Sequence, residues 1–112
     1  VKYFTNTFLA TKVSFANEMK QICDELKIDY DKVVEYSTYD ERLGKSHWAV
    51  PGPDGKFGFG GSCFPKDLNA LIDLCYEKSI KANTLFGAWE TNLEVRPEQD
   101  WKELKGRAVI DE

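Results

Sequence analysis

The stretch Gly58–Asp67 reads GFGGSCFPKD: three glycines, then a cysteine, a proline and an acid. Proline favours the first helical position, where the N–H it lacks would be unpaired anyway. Pro65 is therefore expected to open a helix that runs on through Leu68, Leu71, Ile72 and Cys75. Cys63 then sits just before a helix N-terminus, where free N–H groups and the positive end of the dipole favour a thiolate. Asp67 lies four residues on, one turn along the same side. Glycines allow close approach of backbone to a ligand. A thiol, an acid beside it and a collar of amides are the parts of a covalent catalytic site. A plainer reading stands beside this one. A lone cysteine at a loop–helix junction is most often a small buried hydrophobe, and a glycine cluster is most often a turn. The glycines do not complete a GxGxxG followed by an acid about twenty residues on, as a dinucleotide turn requires.

Upstream, residues 2 to about 27 read as one long helix. Phe4, Phe8, Phe15, Met19, Ile22 and Leu26 recur at helical spacing, and Leu9, Val13, Ala16 and Cys23 add a second apolar stripe. Such a helix, about 40 Å long, needs a partner on each side and suits a central element or one packed on another subunit. Lys2 and Asn6 share a face at its start; from residue chemistry alone they are a solvated lysine and an early-turn polar group. Asp29 is an expected N-cap for a second helix, about Tyr30 to Ser37, carrying Val33, Val34 and Tyr36 inward. Tyr39–Gly44 breaks the pattern, and Arg42 within it reads on its own as a surface charge. Residues 45–62 lack periodicity and hold Pro51, Gly52, Pro53 and Gly55, the make-up of a ligand-wrapping loop.

Downstream, the Pro65 helix is expected to end near Glu77–Ser79. Another, about Ala82 to Val95, presents Phe86, Trp89 and Leu93 on one side. Gly87 within it implies close packing, since glycine costs about 1 kcal/mol there relative to alanine. Pro97 stops the pattern. Trp101, Leu104 and the GRAVI run read as a short amphipathic turn followed by something strand-like. Helices joined by one long loop, with no alternating strands, define an all-α fold. The expected organisation is a helical domain over 1–95 carrying the cysteine loop, with 96–112 as a C-terminal extension that begins a further domain or forms a tail.

At 112 residues the chain supports one domain with a modest core. A formal charge of −4 and a pI near 5.1 argue against a nucleic-acid partner, which needs a basic face. No apolar run reaches membrane-span length, and no signal-peptide pattern opens the chain. Three cysteines, Cys23, Cys63 and Cys75, form no CxxC, and His47 is the sole histidine. The expectation is no metal site and reduced thiols in a cytoplasmic compartment. The first residue is Val1, with the helical pattern already running, so the chain is expected to be a piece of a longer polypeptide.

GFGGSCFPKD closely resembles the active-site motif of the UDP-glucose/GDP-mannose dehydrogenase family. VKYFTNTFLATKVSFANE, at Val1–Glu18, resembles the other signature of that family's central domain, and Arg42 in YDERLG lies in a third matching stretch. The resemblance runs from Val1 to about Leu93, stands nearer to the UDP-glucose members, and departs at VPGPDGK, which is longer than in some relatives. It implies NAD-dependent oxidation of the primary alcohol of a UDP-sugar to the uronic acid, through a cysteine-linked thiohemiacetal and thioester. It further implies Cys63 as nucleophile, Asp67 assisting the water or relaying a proton, Lys2 stabilising negative charge and Asn6 positioning substrate and water. Arg42 would reach the substrate of the neighbouring subunit, Phe59 and Gly60 would line the sugar-nucleotide pocket, and Lys66 would face NAD. Lys12, Asn17 and Glu18 match family positions with structural roles. NAD would be bound mainly by a domain outside this chain, so the isolated chain is expected to be inactive, and a homodimer is expected through the long first helix. The alternative is a purely structural helical dimerisation module; a stand-alone redox thiol protein is disfavoured by the missing CxxC.

Overall fold

In the computed structural model, residues 1–103 are described, and they form an all-α domain with no strand among them. Helix α1 spans Lys2–Glu25, α2 Tyr30–Ser37, α3 Cys63–Glu77 and α4 Asn83–Val95. Short 3₁₀ turns cover Glu41–Leu43 and Asp100–Glu103. The strand-like run expected after Leu104 lies outside the described residues.

Helix α1 is the axis. Its 24 residues reach about 36 Å, close to the 43 Å long dimension of the domain. Its first half packs on α3 and α4 around Ala10, Phe59, Leu68 and Ala88, flanked by Val13, Ile72, Leu85 and Trp89. Its second half packs on α2 and the following loop around Ala16, Cys23, Tyr30 and Val50, flanked by Met19, Val33, Val34 and Trp48. Small residues set the spacing, because Ala10 and Ala16 are fully buried and Ser14 Oγ donates to the Ala88 carbonyl at 2.6 Å.

The second apolar stripe of α1 thus faces the core and the first faces outward. Phe4, Phe8, Phe15, Ile22 and Leu26 are 45–80 % exposed, and at 3.6 residues per turn they fall within about 40° of arc. Only Met19 of that stripe turns partly inward.

Helix ends follow local chemistry. Asp29 caps α2, accepting from the Lys32 N–H at 3.3 Å. Helices α1 and α3 both close with the C-terminal motif in which a left-handed residue lets two amides turn back on the last carbonyls. In α1, Lys27 at φ +57 donates to Asp24 and Ile28 to Cys23; in α3, Ser79 at φ +58 donates to Tyr76 and Ile80 to Cys75. Neither position is glycine, so α1 stops two residues before periodicity alone predicts.

Several expectations are corrected. Helix α3 begins at Cys63, so the cysteine is its first residue and Pro65 its third, still within the turn whose N–H groups lack helical partners. Tyr36 points outward at 60 % exposure, because Val33 and Val34 already cover the α1 contact. Of the expected side Phe86, Trp89 and Leu93, Trp89 does pack on the core beside Leu85, Ala88 and buried Asn92, whereas Phe86 stands half in solvent. Gly87 packs against nothing among the described residues, since a Cβ there would meet no atom within 4 Å.

Candidate active site

The N-termini of α1 and α3 meet. Asn6, one turn into α1, donates from Nδ2 to Asp67 Oδ2 at 2.7 Å. Asp67 is 1 % exposed, and its Oδ1 is buried without a hydrogen-bond partner among the described residues. Cys63 stands one turn before Asp67 on the same side of α3 and is exposed, its Sγ 3.9 Å from Ser62 Oγ. Lys2 stands one turn before Asn6 on α1, also exposed. The fold therefore brings Lys2, Asn6, Cys63 and Asp67 to adjoining helix starts from opposite halves of the chain. Lys66 is exposed on the first turn of α3.

Arg42 is not brought to this group. It lies 89 % exposed on the Glu41–Leu43 turn, its fork folded back on Asp40 at 2.6 Å. That guanidinium holds the Asp40 carboxyl below its ordinary range. The turn itself is fastened to α1, because buried Lys12 donates to the Leu43 carbonyl at 2.9 Å while sitting 4.8 Å over the Trp48 ring. Burial of Lys12 lowers the pKa of its ammonium.

The glycine loop is held from three sides. The Gly58 N–H donates to Asn17 Oδ1 at 3.1 Å. Asn92 clasps the next residue twice, accepting from the Phe59 N–H at 2.7 Å and donating to its carbonyl at 3.1 Å. Gly58 has φ +67, and a Cβ there would collide with the Asn92 side chain, so only glycine fits. Arg96 lies against Gly60 from below, its Nη2 2.5 Å from where a Cβ would be.

A cleft of about 470 Å³ opens beside this loop, lined by Val13, His47, Asp54, Phe59, Gly60 and Phe64 among others. Phe59 spends most of its ring on the core, at 5 % exposure, stacked edge-on to Phe64. Phe59 and Gly60 thus line a cleft, but none of Lys2, Asn6, Cys63 and Asp67 is among its lining residues; Phe64, next in sequence to the thiol, is. A larger hollow of about 670 Å³ at the α3–α4 turn, lined by Ile72, Tyr76, Ile80 and Phe86, shares none of these residues. It is an open surface feature away from the thiol.

Among the described residues there is no cluster of three metal-ligating side chains and no helix long and apolar enough to cross a membrane. The described residues also do not form a dinucleotide-binding unit. Helix α3 follows a loop rather than a strand, and the amides of Gly58 and Phe59 are taken by Asn17 and Asn92.

Sequence reasoning missed Asn92 and Arg96. The available signal was a polar side chain on the inward repeat Leu85, Ala88, Asn92, followed four residues later by arginine.

Fold and site define a helical domain that presents a cysteine at the end of a glycine loop, beside a buried, amide-clasped carboxylate. Residues 1–94 match the UDP-glucose/GDP-mannose dehydrogenase family, central domain, and the chain belongs to that family. It is 37 % identical over 92 residues to UDP-glucose 6-dehydrogenase TuaD of Bacillus subtilis (strain 168), covering 82 % of this chain and 19 % of that protein. UDP-glucose 6-dehydrogenase YwqF of the same organism is 45 % identical over 74 residues, covering 66 % and 16 %. UDP-glucose 6-dehydrogenase of Rickettsia prowazekii (strain Madrid E) is 37 % identical over 97 residues, covering 87 % and 21 %. The chain spans about a fifth of the length of the curated relatives it matches.

Proposed function

We propose that this chain is the central, thiol-bearing part of a UDP-glucose 6-dehydrogenase that oxidises the sugar's primary alcohol to a carboxylate. The observation that carries the reading is the pairing of exposed Cys63 with buried Asp67 one turn along α3, the carboxylate clasped by Asn6 from α1.

The chemistry assigns each group a task. The Cys63 thiolate adds to the aldehyde carbon, forming a C–S bond and an oxyanion. Oxidation of that thiohemiacetal gives a thioester, and water then cleaves the C–S bond to release the acid and the thiol. Lys2 and the second Nδ2–H of Asn6 stabilise the oxyanions, a preorganised contribution of the kind that usually weighs most. Asp67, with one oxygen held by Asn6, directs its other oxygen to the attacking water or relays its proton. NAD, which would be held mainly by a part of the enzyme beyond these residues, would supply the two-electron hydride acceptor for each oxidation. On this chain Lys66 is the residue assigned to face it.

The outward stripe Phe4, Phe8, Phe15, Ile22 and Leu26 supports a homodimer through α1, since contiguous exposed apolar surface marks an interface. In that dimer Arg42, free of the site within its own chain, is assigned to the partner's substrate. Three unpaired cysteines fit a reducing, cytoplasmic setting. A purely structural pairing role is the second reading, favoured by the same stripe.

Substituting Cys63→Ala in the full-length enzyme decides between them. Turnover of UDP-glucose with NAD is expected to fall by about a thousandfold or more with substrate binding intact. Retained turnover overturns the catalytic assignment. The isolated chain, incubated with UDP-glucose and NAD, is expected to yield no NADH.

A further inference from the structure

The cleft beside the glycine loop has two walls that come from different parts of one long loop. One is the segment Gly52–Asp54 and the other is Gly58–Gly61. The first wall is closed on itself, with the Gly52 N–H donating to the Lys56 carbonyl and the Gly55 N–H to the Gly52 carbonyl, both at 2.9 Å. It is therefore a closed turn.

A single buried side chain grips both walls. Arg96, at the C-terminus of α4, is 2 % exposed. Its Nη2 donates to Asp54 Oδ2 at 2.6 Å on the first wall. Its Nη1 donates to the Phe57 carbonyl at 3.2 Å, and its guanidinium underlies Gly60 on the second. Asp100 fixes the fork from behind, accepting from Nε at 2.8 Å and from Nη2 at 2.9 Å, and also receives Lys56 at 3.3 Å. Four directed bonds from one planar group suit arginine and not lysine.

We propose that Arg96 is a positioning residue that sets the width of this cleft by tying its walls together, and thereby sets the affinity for the nucleotide sugar. The inference rests on the function proposed above and adds a determinant of substrate affinity to it. Cys63 and Asp67 are both carried by α3, with Asn6 of α1 bonded to the carboxylate, so loosening the clamp leaves the reacting groups in register. The ligand must then order the wall itself, and that ordering cost appears in binding.

The test uses the full-length enzyme with Arg96→Lys and Asp54→Asn, measuring the Kd for UDP-glucose by calorimetry and kcat by NADH formation, well below each variant's Tm. Asp54 is half exposed, so its substitution keeps the fold if Arg96→Lys does not, and then decides alone. The Kd is expected to rise about tenfold in Arg96→Lys and about threefold in Asp54→Asn, with kcat within about twofold of wild type. An unchanged Kd in the folded variants, even with a lowered Tm, overturns the clamp, as does a fall in kcat as large as the loss of affinity. If wild type neither binds nor oxidises UDP-glucose, the proposed function fails instead.

Discussion

Replacing Asn92 with alanine removes the two hydrogen bonds that hold the Phe59 peptide. Asn92 is fully buried, and Phe59 is 5 % exposed, so water does not reach either backbone group without opening the loop. An unsatisfied buried donor or acceptor costs about 1–3 kcal/mol. Two such groups, the N–H at 2.7 Å and the carbonyl at 3.1 Å, give a loss of about 2–6 kcal/mol. For a domain whose whole stability is about 5–15 kcal/mol, that is a large share. Urea unfolding followed by tryptophan fluorescence measures it by linear extrapolation, and Trp89, 6.2 Å from the Phe59 ring, reports the region directly. Asn92→Asp sharpens the test. Its carboxylate still accepts from the Phe59 N–H but turns a second oxygen on the carbonyl, so it is expected to destabilise at neutral pH and recover as acid protonates it. A loss below about 1 kcal/mol for Asn92→Ala would show that the Phe59 peptide finds other partners and that the asparagine is incidental.

Further outcomes follow from other elements. The Tyr30 hydroxyl donates to the Trp48 carbonyl at 2.6 Å, and burial pushes its pKa up to about 12 from 10.0. Its folded pKa is raised, so stability is whole below pH 10 and is lost as pH rises through about 12; Tyr30→Phe should flatten that alkaline limb, and an unaltered limb refutes the assignment. Lys27→Gly and Ser79→Gly relieve positive-φ residues at two helix ends and should each stabilise by about 0.5–1 kcal/mol, read from urea midpoints. Phe8→Asp combined with Phe15→Asp should convert a dimer to a monomer in sedimentation, and a wild-type monomer at micromolar concentration counts against the α1 interface.

Much of the architecture was legible because its signals are local. The Asp29 cap set α2 at Tyr30–Ser37, and the apolar repeat set α1. The α1 end was misplaced because its left-handed residue is Lys27 rather than glycine, so the sequence carried no stop mark. The meeting of Asn6 with Asp67 spans 61 residues; periodicity placed each on its own helix, and only the family resemblance placed them together. Asn92 and Arg96 were illegible for a related reason. A polar residue in a helix is read as solvent-facing unless its long-range partner is known, and here the partners are backbone atoms of a loop more than thirty residues upstream. Arg42 shows the limit of the resemblance, since within this chain its fork meets only Asp40 and none of Lys2, Asn6, Cys63 or Asp67.

One rod serves as the ruler for the whole constellation. From start to middle, α1 carries Lys2, then Asn6 on the α3 carboxylate, then Lys12 on the Arg42 turn, then Asn17 on the Gly58 amide. Each of these attached segments is thus indexed to a fixed mark on one element and not only to its neighbour in the chain. A slip of one turn, about 5.4 Å, would misalign every mark at once. The stretch around Pro51–Lys56, by contrast, falls between those marks and is fastened from the far side, Asp54 by Arg96 and Lys56 by Asp100.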